Sequence, residues 1–184
     1  MKKLSRRARM ATCGAAIVAV AGGTFGAVSA NASAPASAGA ARSADVRSTA
    51  VTTSSHLTVD AAVKAARAAL DAAEREGQRV TVAVVDRAGN TVVTLRGDGA
   101  GPQSYESAQR KAYTAVSWNA PTSELAGRLA QVPHLKDIPG TLFLAGGVPV
   151  DVKGAPVAGI GVAGAPTGDL DERFAAAGVT ALSR

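Results

Sequence analysis

Between Val59 and Arg75 the chain carries a stripe made almost wholly of alanine: Ala62, Ala65, Ala66, Ala69 and Ala73, with Leu70 as its large member. The spacing reads as one face of an amphipathic helix, with Lys64, Arg67, Asp71, Glu74 and Arg75 elsewhere. Thr58 is placed to cap its start, Asp60 to sit in its first turn and Gly77 to end it. A face of methyl groups gains little unless it lies very close to its neighbour. The helix must therefore pack tightly on a sheet or another helix. Composition agrees: 47% of the 184 residues are apolar but only 3% aromatic, so small aliphatic residues build the core. The length is enough for one domain and too little for two ordinary ones.

Two β-branched runs follow, Val80–Val85 and Thr91–Leu95, about a Gly-containing turn, Asp86–Asn90. They read as an antiparallel hairpin. A second helix is expected from Ser104 to about Trp118. Pro121-Thr122 interrupts the chain before a short helix, 123–130, and 132–140 form a Pro-containing loop. Thr141–Ala145 and Val157–Val162 read as strands, joined through Gly146-Gly147 and Lys153-Gly154. Gly168-Asp169 opens a last helix. The order α-β-β-α-α-β-β-α predicts an α+β domain, an antiparallel sheet with helices packed on it.

The N-terminus reads as an export signal over residues 1–38: five cations by Arg9, an apolar run at 15–21, then small residues. Cleavage falls between 30 and 38, with no choice among the candidate sites. Ser5-Arg6-Arg7 resembles the start of a twin-arginine signal, although Arg9 stands where an apolar residue is usual. A secreted protein is expected, with a disordered linker over 39–55 and the folded domain over 56–184. Removing the signal takes Cys13, Met1 and Met10 with it, and so every sulfur ligand. It also changes the charge. The chain's +6 becomes +1 from residue 31 onward, with 15 basic against 14 acidic residues. A near-neutral body does not bind through phosphate neutralisation, so no nucleic-acid partner is expected.

Gly159-Ile-Gly161-Val-Ala-Gly164 matches a dinucleotide fingerprint in letters only. The glycines lie within a strand, Pro166 follows, and no acid stands about 20 residues on. Close backbone packing explains them better. Arg96-Gly97-Asp98 reads as a turn. His56 and His134 lack metal spacing, and no nucleophile elbow accompanies them. Asp71 with Glu74, and Asp169 with Glu172, are carboxylates three apart on helices. Such pairs hold hard cations weakly, or serve as solvated faces and dipole partners.

On the second helix, Arg110, Thr114 and Trp118 share a face by i, i+4 spacing, with Ser107 and Lys111 beside them. Ala108, Ala112 and Ala115 form the sheet-facing stripe. A hydroxyl, two cations and an indole suit a planar ligand carrying carboxylates. The same residues equally suit a core Trp118 with solvated cations.

Residues 57–184 resemble the GlcG/HbpS family, especially its secreted haem-binding HbpS type. The resemblance is carried by residues 80–87 (VTVAVVDR), 96–100 (RGDGA), 104–108 (SYESA), 110–115 (RKAYTA), 138–140 (IPG), 144–147 (LAGG) and 159–164 (GIGVAG). It implies a homo-octamer that binds haem and, at surface carboxylates, iron ions. It also implies action with the extracellular part of a membrane sensor histidine kinase, in haem and redox sensing and protection from oxidative stress. Thr114 then matches the threonine that ligates the haem iron, with Arg110, Lys111, Trp118 and Ser107 as its surroundings. Asp71-x-x-Glu74 and Asp169-x-x-Glu172 both fit the pattern linked to surface iron. Two other outcomes stay open: a GlcG-like small-molecule-binding or metabolic protein without haem, and a peroxide-dependent haem-degrading enzyme. Without thiolate or thioether, the usual axial ligands left are the two His and two Tyr. Tyr113 lies about 100° round the helix from Thr114, so a haem on the Thr114 face leaves it pointing elsewhere.

Overall fold

The computed structural model describes residues 45–183. The chain divides into two units, 1–46 and 47–184, and every element below belongs to the second. The export-signal reading of 1–38 and the first linker residues, 39–44, fall outside the described residues. The rest of the linker, 45–55, is exposed and irregular apart from a single 3-10 turn at Ser48–Ala50.

Helix α1 spans Val59–Arg75. Thr58 Oγ1 accepts the Ala61 N–H at 3.2 Å. At the other end Gly77, at φ +68°, lets the N–H groups of Gly77 and Gln78 turn back onto the carbonyls of Glu74 and Ala73. Strands β1 (Thr81–Asp86) and β2 (Thr91–Arg96) form the hairpin. Asp86 shapes its turn, accepting from the N–H groups of Ala88 and Asn90 at 2.8 and 2.9 Å. Burial works to raise this carboxyl; the hydrogen bonds from Asn90 and Ala88 and the charge of His56 outweigh it and hold Asp86 below the usual range.

Helix α2 spans Gln103–Trp118 and α3 Thr122–Arg128. Strands β3 (Gly147–Val152) and β4 (Ala155–Ala163) form a second hairpin, and α4 spans Gly168–Leu182. The four strands pair antiparallel throughout, in the order β2-β1-β4-β3. The molecule is α+β with the expected element order. The alanine stripe of α1 packs with Phe174 and Ala175 of α4 on one face of the sheet, against Val82, Val84, Ile160 and Val162. The opposite face carries α2, against Ala83, Val85 and Ala163.

Thr141–Ala145 is not a strand. The segment is apolar enough to read as one, but its polar backbone groups go to α2. Leu142 N–H donates to Thr114 Oγ1, and the Thr141 carbonyl accepts from Arg110. The third strand begins only after Gly146, whose φ of +129° redirects the chain. Its Pro149 is tolerated because β3 is an edge strand.

Beneath α2 the sheet is paved with glycine. A Cβ on Gly161 would collide with the Ala108 carbonyl, one on Gly159 with the Ala112 carbonyl, and one on Gly147 with the Lys111 carbonyl. The glycine motif thus lets a helix backbone rest on a strand backbone. Gly161→Ala should cost about 1–3 kcal/mol by overpacking. Gly127→Ala, where a Cβ meets nothing within 4 Å, should be neutral or stabilising. Urea unfolding of both variants checks this; equal stability of the two would contradict the close approach.

Candidate functional site

The glycine floor fixes the rotation of α2, and that rotation decides where each side chain points. Ala108, Ala112 and Ala115 are buried as expected, the first two against the sheet. Lys111 goes with them. It does not share an outer face with Arg110 but is buried, its Nζ 2.7 Å from Asp171 Oδ2 and 3.0 Å from the Val162 carbonyl. Asp171 also accepts the Ala165 N–H at 3.0 Å. Burial pushes the Asp171 carboxyl up, and the Lys111 and backbone hydrogen bonds pull it only part of the way back. The pair joins the first turn of α4 to the middle of α2. Gly146 makes room for it, since a Cβ there would lie 2.6 Å from Lys111 Nζ.

Thr114 is fully buried. Its hydroxyl donates to the Arg110 carbonyl at 2.7 Å and accepts from Leu142 N–H at 2.8 Å. Arg110 donates to the Thr141 carbonyl at 2.7 Å, and Thr141 Oγ1 to the Ile138 carbonyl at 2.7 Å. Thr114 and Arg110 thus strap the 138–142 segment onto α2. Trp118 meets Phe143 edge-on, ring centroids 5.3 Å apart, in a small cluster with Ala120 and Leu125. Ser107 is half-buried.

The structure therefore separates the residues grouped by spacing. Arg110 alone among them lines an open depression of about 270 Å³, between α2, the β1–β2 turn and the strap. Val85, Gly89, Thr91, Gln109, Tyr113 and Gly140 complete the lining. Tyr113 and Gln109 were not singled out by pattern. The available signal was that Tyr113 follows Ala112 on the helix, one step round from the buried stripe.

The two carboxylate pairs differ. Asp71 and Glu74 both face Arg67, at 2.5 and 3.1 Å, on the exposed side of α1. Asp71 and Arg75 also line a groove of about 430 Å³ between α1 and α4. Asp169 is exposed, whereas Glu172 turns away from it to bind Ser123 Oγ at 2.5 Å, Ser123 N–H at 3.0 Å and Gly146 N–H at 3.2 Å. Among the described residues no group of three or more His, Cys, Asp or Glu is gathered for a metal ion. Ser54 Oγ lies 2.8 Å from His56 Nε2, and His56 Nδ1 4.0 Å from Asp86. That is the order of a hydrolytic triad. The second gap exceeds a hydrogen bond, and Ser54 and His56 are exposed. His134 pairs with Asp137 at 3.2 Å on the surface. No described helix is long and apolar enough to cross a membrane.

The sequence profile of the family described as "Haem degrading protein HbpS-like" matches residues 57–180. A crystal structure of a double mutant of Streptomyces reticuli HbpS is 73% identical, with a TM-score of 0.76 over 77% of this chain and 97% of that one. A crystal structure of HbpS is 74% identical, with a TM-score of 0.74 over 74% and 97% of the two chains. A PduOC–haem complex is 26% identical, with a TM-score of 0.63 over 69% and 95%. Comparison with curated proteins gives no match.

Lys111→Met would strand Asp171 in the interior and should cost about 3–5 kcal/mol near pH 7. With its folded pKa raised, Asp171 holds a proton that the unfolded chain releases, so stability falls as pH rises through that window. The loss should be smallest below about pH 3, where the carboxyl is protonated in both states. Adding Asp171→Leu should restore most of it. Urea unfolding at both pH values checks this; an equal loss at both would contradict it.

Proposed function

This chain belongs to the HbpS-like family, and from that premise we propose that it binds haem in the depression on the outer side of α2. The observation that carries the reading is the position of Arg110. Its guanidinium, part-exposed and braced by the Thr141 carbonyl, stands at the rim of an opening whose walls include Val85 and Tyr113. That arrangement fits an apolar plate with carboxylates at its edge. The haem-complex relative supports haem binding.

At about 270 Å³ the depression is smaller than a pocket that encloses a small molecule, roughly 300–1,000 Å³. One subunit therefore leaves much of a porphyrin uncovered, which accords with a homo-oligomer, the octamer implied by the resemblance. Bound haem would supply an iron centre open to redox chemistry. The chain's own part is to hold the propionates at Arg110 and shield the plate with apolar walls. Ligation by Thr114 would require its fully buried hydroxyl to be uncovered. An extracellular role beside a sensor kinase belongs to the same proposal; it is supported by residues 1–38 as sequence and by the family resemblance.

Haemin added to the purified chain should give a saturable Soret change. Arg110→Gln should weaken binding about three- to tenfold, the scale of one part-exposed ion pair of about 1 kcal/mol. No saturable change in the unaltered protein would remove the haem reading and favour a GlcG-like role. The family's description also favours turnover of bound haem. Peroxide should then bleach the complex faster than it bleaches free haemin.

We also propose weak ferric-ion binding at Asp71 and Glu74, with Arg67 displaced. Asp71→Ala with Glu74→Ala should lower iron uptake in equilibrium dialysis and leave the haem titration unchanged. Equal uptake would assign both acids to the Arg67 ion pairs alone.

A further inference from the structure

We propose that Ser54 is a site of acylation: its hydroxyl, with His56 as general base, takes the acyl group of an activated ester. The site stands apart from the haem depression, whose lining includes none of Ser54, His56 and Asp86. The segment 48–55 offers six hydroxyls, those of Ser48, Thr49, Thr52, Thr53, Ser54 and Ser55. Of these, Ser54 is the one bonded to an imidazole, its Oγ 2.8 Å from His56 Nε2.

His56 is held where the segment meets the domain. Leu57 packs against the main core and Thr58 caps α1, so the backbone of His56 is fixed from its C-terminal side. The ring faces the β1–β2 turn, with Nδ1 4.0 Å from Asp86 Oδ2. Asp86 Oδ1 is occupied by the Ala88 and Asn90 N–H groups. Oδ2 takes the Asn90 side-chain amide at 3.3 Å and keeps a lone pair toward the ring. Burial opposes the charge of Asp86, but the Asn90 and Ala88 hydrogen bonds and the charge of His56 prevail. An ionised carboxylate on that side favours the tautomer with its proton on Nδ1. Nε2 then carries the lone pair, and the Ser54 O–H donates to it.

Each ring nitrogen thus has the neighbour that nucleophilic catalysis needs, the hydroxyl on one side and the carboxylate on the other. At 4.0 Å Asp86 is a positioning residue, acting through its charge on the ring; such constellations are often looser before substrate arrives. Ser54 and His56 are exposed. No walls select an acyl chain, so the fitting substrates are small acyl groups on good leaving groups. In the step, Ser54 Oγ bonds to the acyl carbon as its proton passes to Nε2. The bond from that carbon to the leaving oxygen breaks, and the leaving group takes the proton from Nε2. Nothing is oxidised or reduced. Water attacking by the same route releases the acid and restores Ser54.

The experiment treats the purified chain with p-nitrophenyl acetate and locates the acetyl group by fragmenting the tryptic peptide 48–64. Ser54 should be labelled at least about tenfold faster than Ser55, a margin set below the roughly hundredfold of an enclosed general base because this one is exposed. His56→Gln should abolish that preference. Both residues lie on the surface, and circular dichroism controls for folding. Nitrophenol release alone does not decide, since imidazole itself attacks aryl esters; the acetyl on Ser54 does. Label spread evenly over the six hydroxyls, or Ser54 labelled as fast in His56→Gln, would overturn the proposal. Asp86 has a separate readout. Asp86→Asn should slow Ser54 labelling and shift His56 toward the tautomer protonated on Nε2, seen in its ring nitrogen resonances. An unchanged tautomer and rate would remove Asp86 from the site and leave it to the turn.

Discussion

The contact on which the molecule depends is a helix backbone lying on a strand backbone. Ordinary side chains between α2 and the strands β3 and β4 would hold them apart. Here Gly159, Gly161 and Gly147 remove them, and the carbonyls of Ala112, Ala108 and Lys111 occupy the space. The approach gains dispersion contacts that a core poor in aromatics obtains in few other ways. It also removes rotational freedom from α2. Once three helical carbonyls are seated, Lys111 faces inward, Thr114 faces the strap and Tyr113 faces the depression.

The buried ion pair secures that orientation rather than adding much net stability. Bringing an ammonium and a carboxylate out of water offsets most of their attraction. A partner bond from Asp171 to Lys111 is satisfied only when α2 sits in one rotation and α4 begins at one place. Glu172, the next residue, ties the same turn to Ser123 and to Gly146. Adjacent acids at the start of α4 thus hold α2 from inside and α3 from outside. Neither is a solvated end of a helix.

What the sequence made legible was local. The alanine stripe, the Thr58 and Gly77 caps, the first hairpin and the element order follow from neighbours within a few residues. The glycine motif was legible as packing because it lacked the helix and the acid that cofactor binding needs. Thr141–Ala145 was misread because its backbone partners are Thr114 and Arg110, some thirty residues away. Lys111 was misplaced for a similar reason: Asp171 lies 60 residues on. A signal for it existed, since Lys111 stands three positions from Ala108 and four from Ala115, on the buried stripe. Of the candidate site, Arg110 was found by pattern. Tyr113 enters the lining one step round from the buried stripe, a placement fixed by the seating of α2 on the sheet.

The account's central claim is that the outward face of α2, defined by Arg110 and Tyr113, receives porphyrin. A crystal structure of the haem-loaded protein tests it most directly. The account predicts the macrocycle against Val85 and Tyr113, with a propionate at Arg110. Haem lodged in the α1–α4 groove, away from Arg110, would contradict it.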